Sequence, residues 1–209
     1  IRSRKKMSYT EVSGYLAGQA PSPADNIPLA NLTTLASATE AILAARQSTS
    51  LVHAERVEFS MTLNEQQKIA SITQKVFTVA HRIVEESMIA ANCCIARLLA
   101  DTKQASLYIQ HAGARADRLE GLQSVLNEHV PSCKDDNIST LPGFIHTMQC
   151  VSSSEELKAY HLLISRQLEK STLSSQPSPH FGMGLAQYTT FTSPLRKAQD
   201  FLIHRQLDS

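Results

Sequence analysis

The stretch from Val76 to Leu99 constrains this chain more than any other. It reads as one long helix, and from Ser87 to Ala100 it is apolar nearly all round, interrupted only by Asn92 and Arg97. A helix without a continuous polar face is buried on most sides, so the rest of the chain is expected to wrap it. Before it, Thr10 to Leu16 reads as a short helix ended by Gly18. Residues 19–28 form a Pro-rich polar loop, and Leu29 to Arg46 has the spacing of an amphipathic helix. A period-two pattern over Ser50 to Leu63, a turn at Asn64-Glu65 and a second strand over Lys68 to Thr73 predict a hairpin. After the long helix come a short strand over Leu107 to His111 and helices over Arg115 to His129, Leu141 to Val151 and Glu155 to Glu169. A Ser/Pro loop over Ser171 to Pro179, a strand-like stretch over residues 180–191 and a last helix over Pro194 to Gln206 complete the chain. The expected class is α+β, helix-rich with a small, mostly antiparallel sheet. No repeat and no domain boundary is visible.

The 209 residues are 42% hydrophobic and 19% charged, a globular composition. Twenty basic and 19 acidic residues leave a formal charge of +1. No global positive field therefore advertises nucleic-acid binding, and any such binding must come from local patches. No apolar run approaches the roughly 20 residues of a membrane span. The basic N-terminus is not followed by the apolar run of a signal peptide. The cysteines Cys93, Cys94, Cys133 and Cys150 include no C-x-x-C spacing, which argues against a zinc site. They read as reduced, mostly buried thiols of a cytoplasmic protein. The chain opens on Ile1 rather than Met, which suggests a piece of something longer.

The segment Ser193-Pro194-Leu195-Arg196-Lys197 has the form of a helix start, with Ser193 as cap and Pro194 at the first helical position. A capping box would place Glu or Gln where Arg196 stands. Two cations at the positive end of a helix dipole are each unfavourable by roughly 0.3–1 kcal/mol. Together with free backbone N–H groups, they suit an anion, above all a phosphate. The alternative is that both side chains bend out into water. In the long helix, Glu85, Met88 and Asn92 share one face. A buried carboxylate and carboxamide need partners, either another helix or a ligand hydroxyl. Asp135-Asp136 reads as a solvated loop and His180 as structural. These residues alone suggest an anion site beside buried polar groups, without identifying a reaction.

The stretch His180 to Leu207 resembles the closing motif of the ribonuclease II/ribonuclease R (RNB) family of exoribonucleases. Arg82-Ile83-Val84-Glu85-Glu86-Ser87-Met88-Ile89-Ala90-Ala91-Asn92 resembles that family's central helix, and Met7-Ser8-Tyr9-Thr10-Glu11-Val12 a third segment, nearest the ribonuclease II branch. The three stand in the family's order. The resemblance implies an RNB catalytic domain of which residues 1–209 are the C-terminal portion. It implies 3′→5′ hydrolysis of single-stranded RNA, processively, to nucleoside 5′-monophosphates, by a monomer assisted by Mg²⁺. Carried over by motif, Arg196 is the catalytic arginine on the scissile phosphate. Tyr9 and Glu85 contact the terminal riboses, and Ser193 and Lys197 line the phosphate path. His53 stands near the position of a base-stacking Phe.

Some family features are absent. No Asp-rich metal-binding segment is found, since Asp25, Asp101, Asp117, Asp135, Asp136, Asp200 and Asp208 are scattered. Nor are the cold-shock and S1 domains present, and Ala198 replaces the Tyr usual after the basic pair. No metal ligand is therefore assigned within this chain, and the chain alone is expected to be inactive. The rival reading is a non-catalytic RNA-binding relative of the same fold. A phosphate-binding metabolic enzyme would explain Arg196 but not the order of the three motifs.

Overall fold

The computed structural model describes residues 5–19, 29–51, 58–102 and 105–208. They fall into two compact units, one within Ile1–Ala44 and His53–Ser87, the other within Ala45–Val52 and Met88–Ser209.

In the first unit, α1 (Tyr9–Leu16) starts at a capping box. Ser8 Oγ accepts the Glu11 N–H at 3.2 Å while Glu11 Oε2 accepts the Ser8 N–H at 2.6 Å, so two otherwise orphaned donors are satisfied reciprocally. The Ser8 N–H and the Ser8 hydroxyl both donate to Glu11 Oε2 and hold its carboxyl below its ordinary range. Helix α2 (Leu29–Thr49) passes from this unit into the second. The predicted hairpin is present as β1 (Glu58–Leu63) and β2 (Ile69–Lys75), antiparallel, with Phe59 opposite Gln74; of the longer first strand expected from Ser50, Ser50 and Leu51 are not strand and 52–57 lie outside the described residues. Its turn is built on Asn64, whose side-chain oxygen accepts the N–H groups of Gln66 and Lys68. The long helix is α3 (Val79–Asp101), which also runs through both units.

In the second unit, β3 (Tyr108–Gln110) is followed by α4 (Ala116–His129), α5 (Leu141–Ser152) and α6 (Lys158–Arg166). Strand β4 (Thr172–Ser174) and α7 (Ala198–Leu207) complete it. Helix α5 shows how sequence becomes core. Thr140 caps it, and Phe144, Thr147, Met148 and Val151, at offsets of 3, 4 and 7, form one buried stripe. This stripe packs with Leu122 and Leu126 of α4, Ile164 of α6, Val130, Ile138 and Phe181 into the larger core. A smaller core joins Ala96 and Leu99 of α3 to Tyr108 and Ile203. Gly143 is required at the start of α5, because a Cβ there would lie 2.3 Å from the carbonyl oxygen of Asn137.

Among the described residues the architecture is helix-rich α+β as expected, with two two-stranded antiparallel sheets. Four expectations need correction. Between Ser87 and Ala100 only Asn92, Ala96 and Leu99 are buried, so α3 carries more apolar surface than the described residues cover. The single helix expected over Glu155 to Glu169 is a 3₁₀ turn, Glu155–Leu157, followed by the shorter α6. The Ser/Pro loop contains β4, because β3 offers Thr172–Ser174 a ladder partner. Residues 180–191 do not form a strand. His180 and Leu185 exchange backbone hydrogen bonds around a 3₁₀ turn, Phe181–Met183. The loop closes through Gly184 at φ +63, where a Cβ would also meet the Leu51 nitrogen at 2.8 Å.

Candidate functional site

The expected helix start at Ser193 lies in a different place. Helix α7 begins at Ala198 with Lys197 as its N-cap and no side-chain cap. Ser193 to Lys197 forms a turn ahead of it, in which Ser193 O accepts the N–H groups of Arg196 at 3.2 Å and Lys197 at 3.1 Å. A carboxylate of α7 itself ties this turn down. Asp200, the third residue of α7, is fully buried. Its carboxylate accepts Thr190 Oγ1 at 2.6 Å and the Ser193 N–H at 2.8 Å. A carboxylate in the first turn complements the helix dipole. Asp200 thus serves the helix dipole and the turn backbone, and Arg196 and Lys197 are left exposed on the turn. Among the described residues neither makes an ion pair.

The segment leading into this turn is anchored residue by residue. Tyr188 O accepts the Ile109 N–H at 2.8 Å. Thr189 Oγ1 donates to Leu107 O at 2.6 Å and accepts from Gln199 at 3.2 Å. The Phe191 N–H donates to Asn92 Oδ1 at 2.9 Å, and its carbonyl lies 3.0 Å from His204 Nε2. The Phe191 and His204 rings stack with centroids 4.0 Å apart. Asn92 also donates to the Tyr188 hydroxyl at 2.8 Å, and burial raises that phenol above its ordinary value. The buried carboxamide of α3 therefore serves this backbone. Asn92, Asp200 and His204 together hold the arginine turn, and only Asn92 had been marked by its place on an apolar helix.

Tyr9 and Glu85 belong to the first unit. The Tyr9 ring stacks on His81 at 3.9 Å, His81 faces Phe77 at 5.3 Å, and the Arg82 guanidinium lies 5.2 Å over the Phe77 ring. Glu85 follows His81 by one helical turn, on the same side of α3, and is exposed, whereas the adjacent Glu86 is buried. Tyr9, His81 and Phe77 form a run of packed rings, one helical turn from Glu85, that can receive a base or a sugar. His81 escaped the sequence reading because its partner lies across the unit, although its i,i+4 relation to Glu85 was visible. Ser193, Arg196 and Lys197 share one turn of the second unit, and His53 lies outside the described residues.

Three more readings change. Cys94 is exposed rather than buried. Asp136 is not a solvated loop residue, because its carboxylate lies 2.6 Å from His146 Nδ1 and accepts Thr147 Oγ1 at 3.2 Å. Despite the lack of C-x-x-C, Cys133, His146 and Cys150 converge, their ligand atoms all within 4.8 Å of one another. Burial and a hydrogen bond with Cys150 push the Cys133 thiol up to about 11. This is the one metal-capable group among the described residues. Its sulfur and nitrogen donors do not suit Mg²⁺, which takes oxygen ligands. The structural reading of His180 matches its geometry, since its Nδ1 accepts the Met183 N–H at 3.2 Å and its ring packs on His111 and Tyr188.

The chain belongs to the family described as RNB domain, whose model matches residues 1–209. Exoribonuclease 2 of Klebsiella pneumoniae is 33% identical over 208 residues, covering 99% of this chain and 32% of that protein. The chain thus spans about a third of the length of the curated relatives it matches. Among solved structures, Mycoplasma genitalium ribonuclease R in complex with ribose methylated single-stranded RNA superposes with a TM-score of 0.78 at 26% identity. That match covers 95% of this chain and 31% of the other. A yeast pseudonuclease shares the fold at 14% identity and a TM-score of 0.59, over 96% of this chain and 25% of its own. The fold by itself therefore does not imply hydrolysis. No helix among the described residues is long and apolar enough to cross a membrane.

Proposed function

We propose that the protein carrying this chain is a 3′→5′ exoribonuclease that degrades single-stranded RNA processively to nucleoside 5′-monophosphates, acting as a monomer in the cytoplasm. The observation that carries the reading is the arginine turn. A buried carboxylate and an anchored backbone hold two exposed cations on a short turn, at the positions that resemble the family's phosphate-binding pair. Arg196 stabilises the charge that develops on the scissile phosphate, and Lys197 and Ser193 line the path of the neighbouring phosphates. Tyr9 and Glu85 contact the terminal riboses, where the 2′-hydroxyl is both donor and acceptor and so separates RNA from DNA. His53 is a further candidate for base stacking. Among the described residues no group of three carboxylates that could hold Mg²⁺ is found, so a magnesium-assisted reaction takes its carboxylates from outside them, and the 209-residue chain alone is expected to be inactive.

In the full-length protein, Arg196→Ala is expected to lower kcat on single-stranded RNA by about 10²–10³-fold, the loss typical of a transition-state donor, with RNA affinity little changed. A raised KM at unchanged kcat overturns the assignment. Tyr9→Ala combined with Glu85→Ala raises DNA cleavage relative to RNA, and an unchanged ratio removes the ribose role. RNA binding by the full-length protein without Mg²⁺-dependent nucleotide release would favour the non-catalytic relative instead. Nucleotide release by the pure 209-residue chain contradicts its predicted inactivity.

A further inference from the structure

A cluster remote in sequence from every residue assigned to RNA has the composition of a metal site. Cys133 closes the 3₁₀ turn Pro131–Cys133, and His146 and Cys150 lie one turn apart on α5. We propose that Cys133, His146 and Cys150 bind a zinc ion, with water completing a tetrahedral shell.

The geometry is already close to that of a bound site. With Zn–S near 2.3 Å and Zn–N near 2.05 Å at tetrahedral angles, a sulfur and a nitrogen ligand lie about 3.6 Å apart. Cys150 Sγ and His146 Nε2 are separated by 3.6 Å. Cys133 Sγ, Cys150 Sγ and a ring nitrogen of His146 all lie within 4.8 Å of one another, so small side-chain rotations complete the set. The histidine is also oriented for the task. Asp136 Oδ2 lies 2.6 Å from Nδ1, and an Nδ1–H given to that carboxylate leaves the lone pair on Nε2, the atom facing Cys150. This is the carboxylate–histidine arrangement that supports zinc ligands elsewhere. Asp136 is in turn fixed by Thr147, and Gly143 permits the close approach of the loop that carries it.

Cys133 is buried while the His146 side chain is 55% exposed, so the ion has a route in from solvent. On binding, the two thiols release their protons to water, and two thiolates balance the ion's charge. The ion ties the 3₁₀ turn and the Asp136 loop to α5, on the edge of the larger core.

The test uses the full-length protein, reduced and stripped of metal, then dialysed against zinc. Wild type is expected to hold one more zinc per chain than Cys150→Ser or His146→Gln. Cobalt in its place gives sulfur-to-cobalt charge transfer and the intense visible bands of a tetrahedral site, both lost in the same variants. Asp136→Asn weakens zinc binding about 10- to 100-fold, as for other outer-shell partners. Zinc raises the unfolding temperature of wild type and not of the variants. The His146→Gln side chain sits at the surface, so this variant keeps its fold and decides the matter if Cys133→Ala does not. Equal zinc content in wild type and variants overturns the proposal. So does a Cys133–Cys150 disulfide in air-handled protein that, once reduced, takes up no zinc.

Discussion

Removing the buried carboxylate of Asp200 tests how the arginine turn is held. Asp200 accepts one hydrogen bond from the Thr190 hydroxyl and one from the Ser193 N–H, and is 0% exposed. Hydrogen bonds to a charged group contribute roughly 1.5–3 kcal/mol each, so Asp200→Ala should cost about 3–6 kcal/mol. Asp200→Asn is a graded control. Its amide oxygen can accept from Ser193 while its NH₂ donates to the Thr190 hydroxyl, so both bonds survive without the charge. Neutral bonds are weaker by about 1 kcal/mol each, giving a loss of about 2 kcal/mol. Urea titration of the full-length protein and both variants gives the differences, provided the slope of the transition is unchanged. Below the unfolding range, Asp200→Ala should also lower kcat on RNA by about tenfold or more, because small misplacements of a catalytic group are costly. Asp200→Asn should retain most of it. Equal losses for the two variants, or a cost under about 0.5 kcal/mol for the alanine, refute the argument. A large stability loss with unchanged kcat refutes the positioning role alone.

Gly143→Ala forces a Cβ to 2.3 Å from the Asn137 carbonyl. Because the obstacle is backbone, the cost should reach about 1–3 kcal/mol, and an unchanged unfolding temperature would show that the loop yields freely. Burial raises the Tyr188 phenol above its reference value of 10.0. The unfolded chain therefore releases this proton first. The contribution is fully present below that value and is lost as pH rises past it toward the folded-state value. Tyr188→Phe should flatten that alkaline decline, at a cost of about 1 kcal/mol for the lost Asn92 bond, and an undiminished decline contradicts the assignment. Ser8→Ala removes the cap of α1, at a cost of about 1 kcal/mol. It should also loosen the Tyr9–His81 stack, observable in the His81 ring NMR shifts, and unchanged shifts would separate the cap from the stack.

What could be read in advance was what repeats along the chain. The helix α5, the hairpin turn at Asn64 and the long α3 depend on residues within a turn or two of one another, and all are visible as spacing. The family, too, was recognisable from three short motifs in order. Errors arose where the deciding partner was distant. Residues 180–191 have strand-like composition, yet β3 takes its ladder from Thr172–Ser174, and the glycine-bearing loop closes on itself. The Ser-Pro segment has the residues of a helix start, but Ser193 gives its N–H to Asp200, so the helix begins later.

The sequence alone determined the hairpin, most of the helices and the family, because local periodicity and motif order need no knowledge of packing. Tertiary structure alone decided which charges are satisfied. It placed Asp200 under the arginine turn, Asn92 against Tyr188 and Phe191, and Cys133 beside His146 and Cys150. Hydrogen bonds and metal ligands depend on atoms meeting within a few ångströms, and spacing along a chain does not encode which distant atoms will meet.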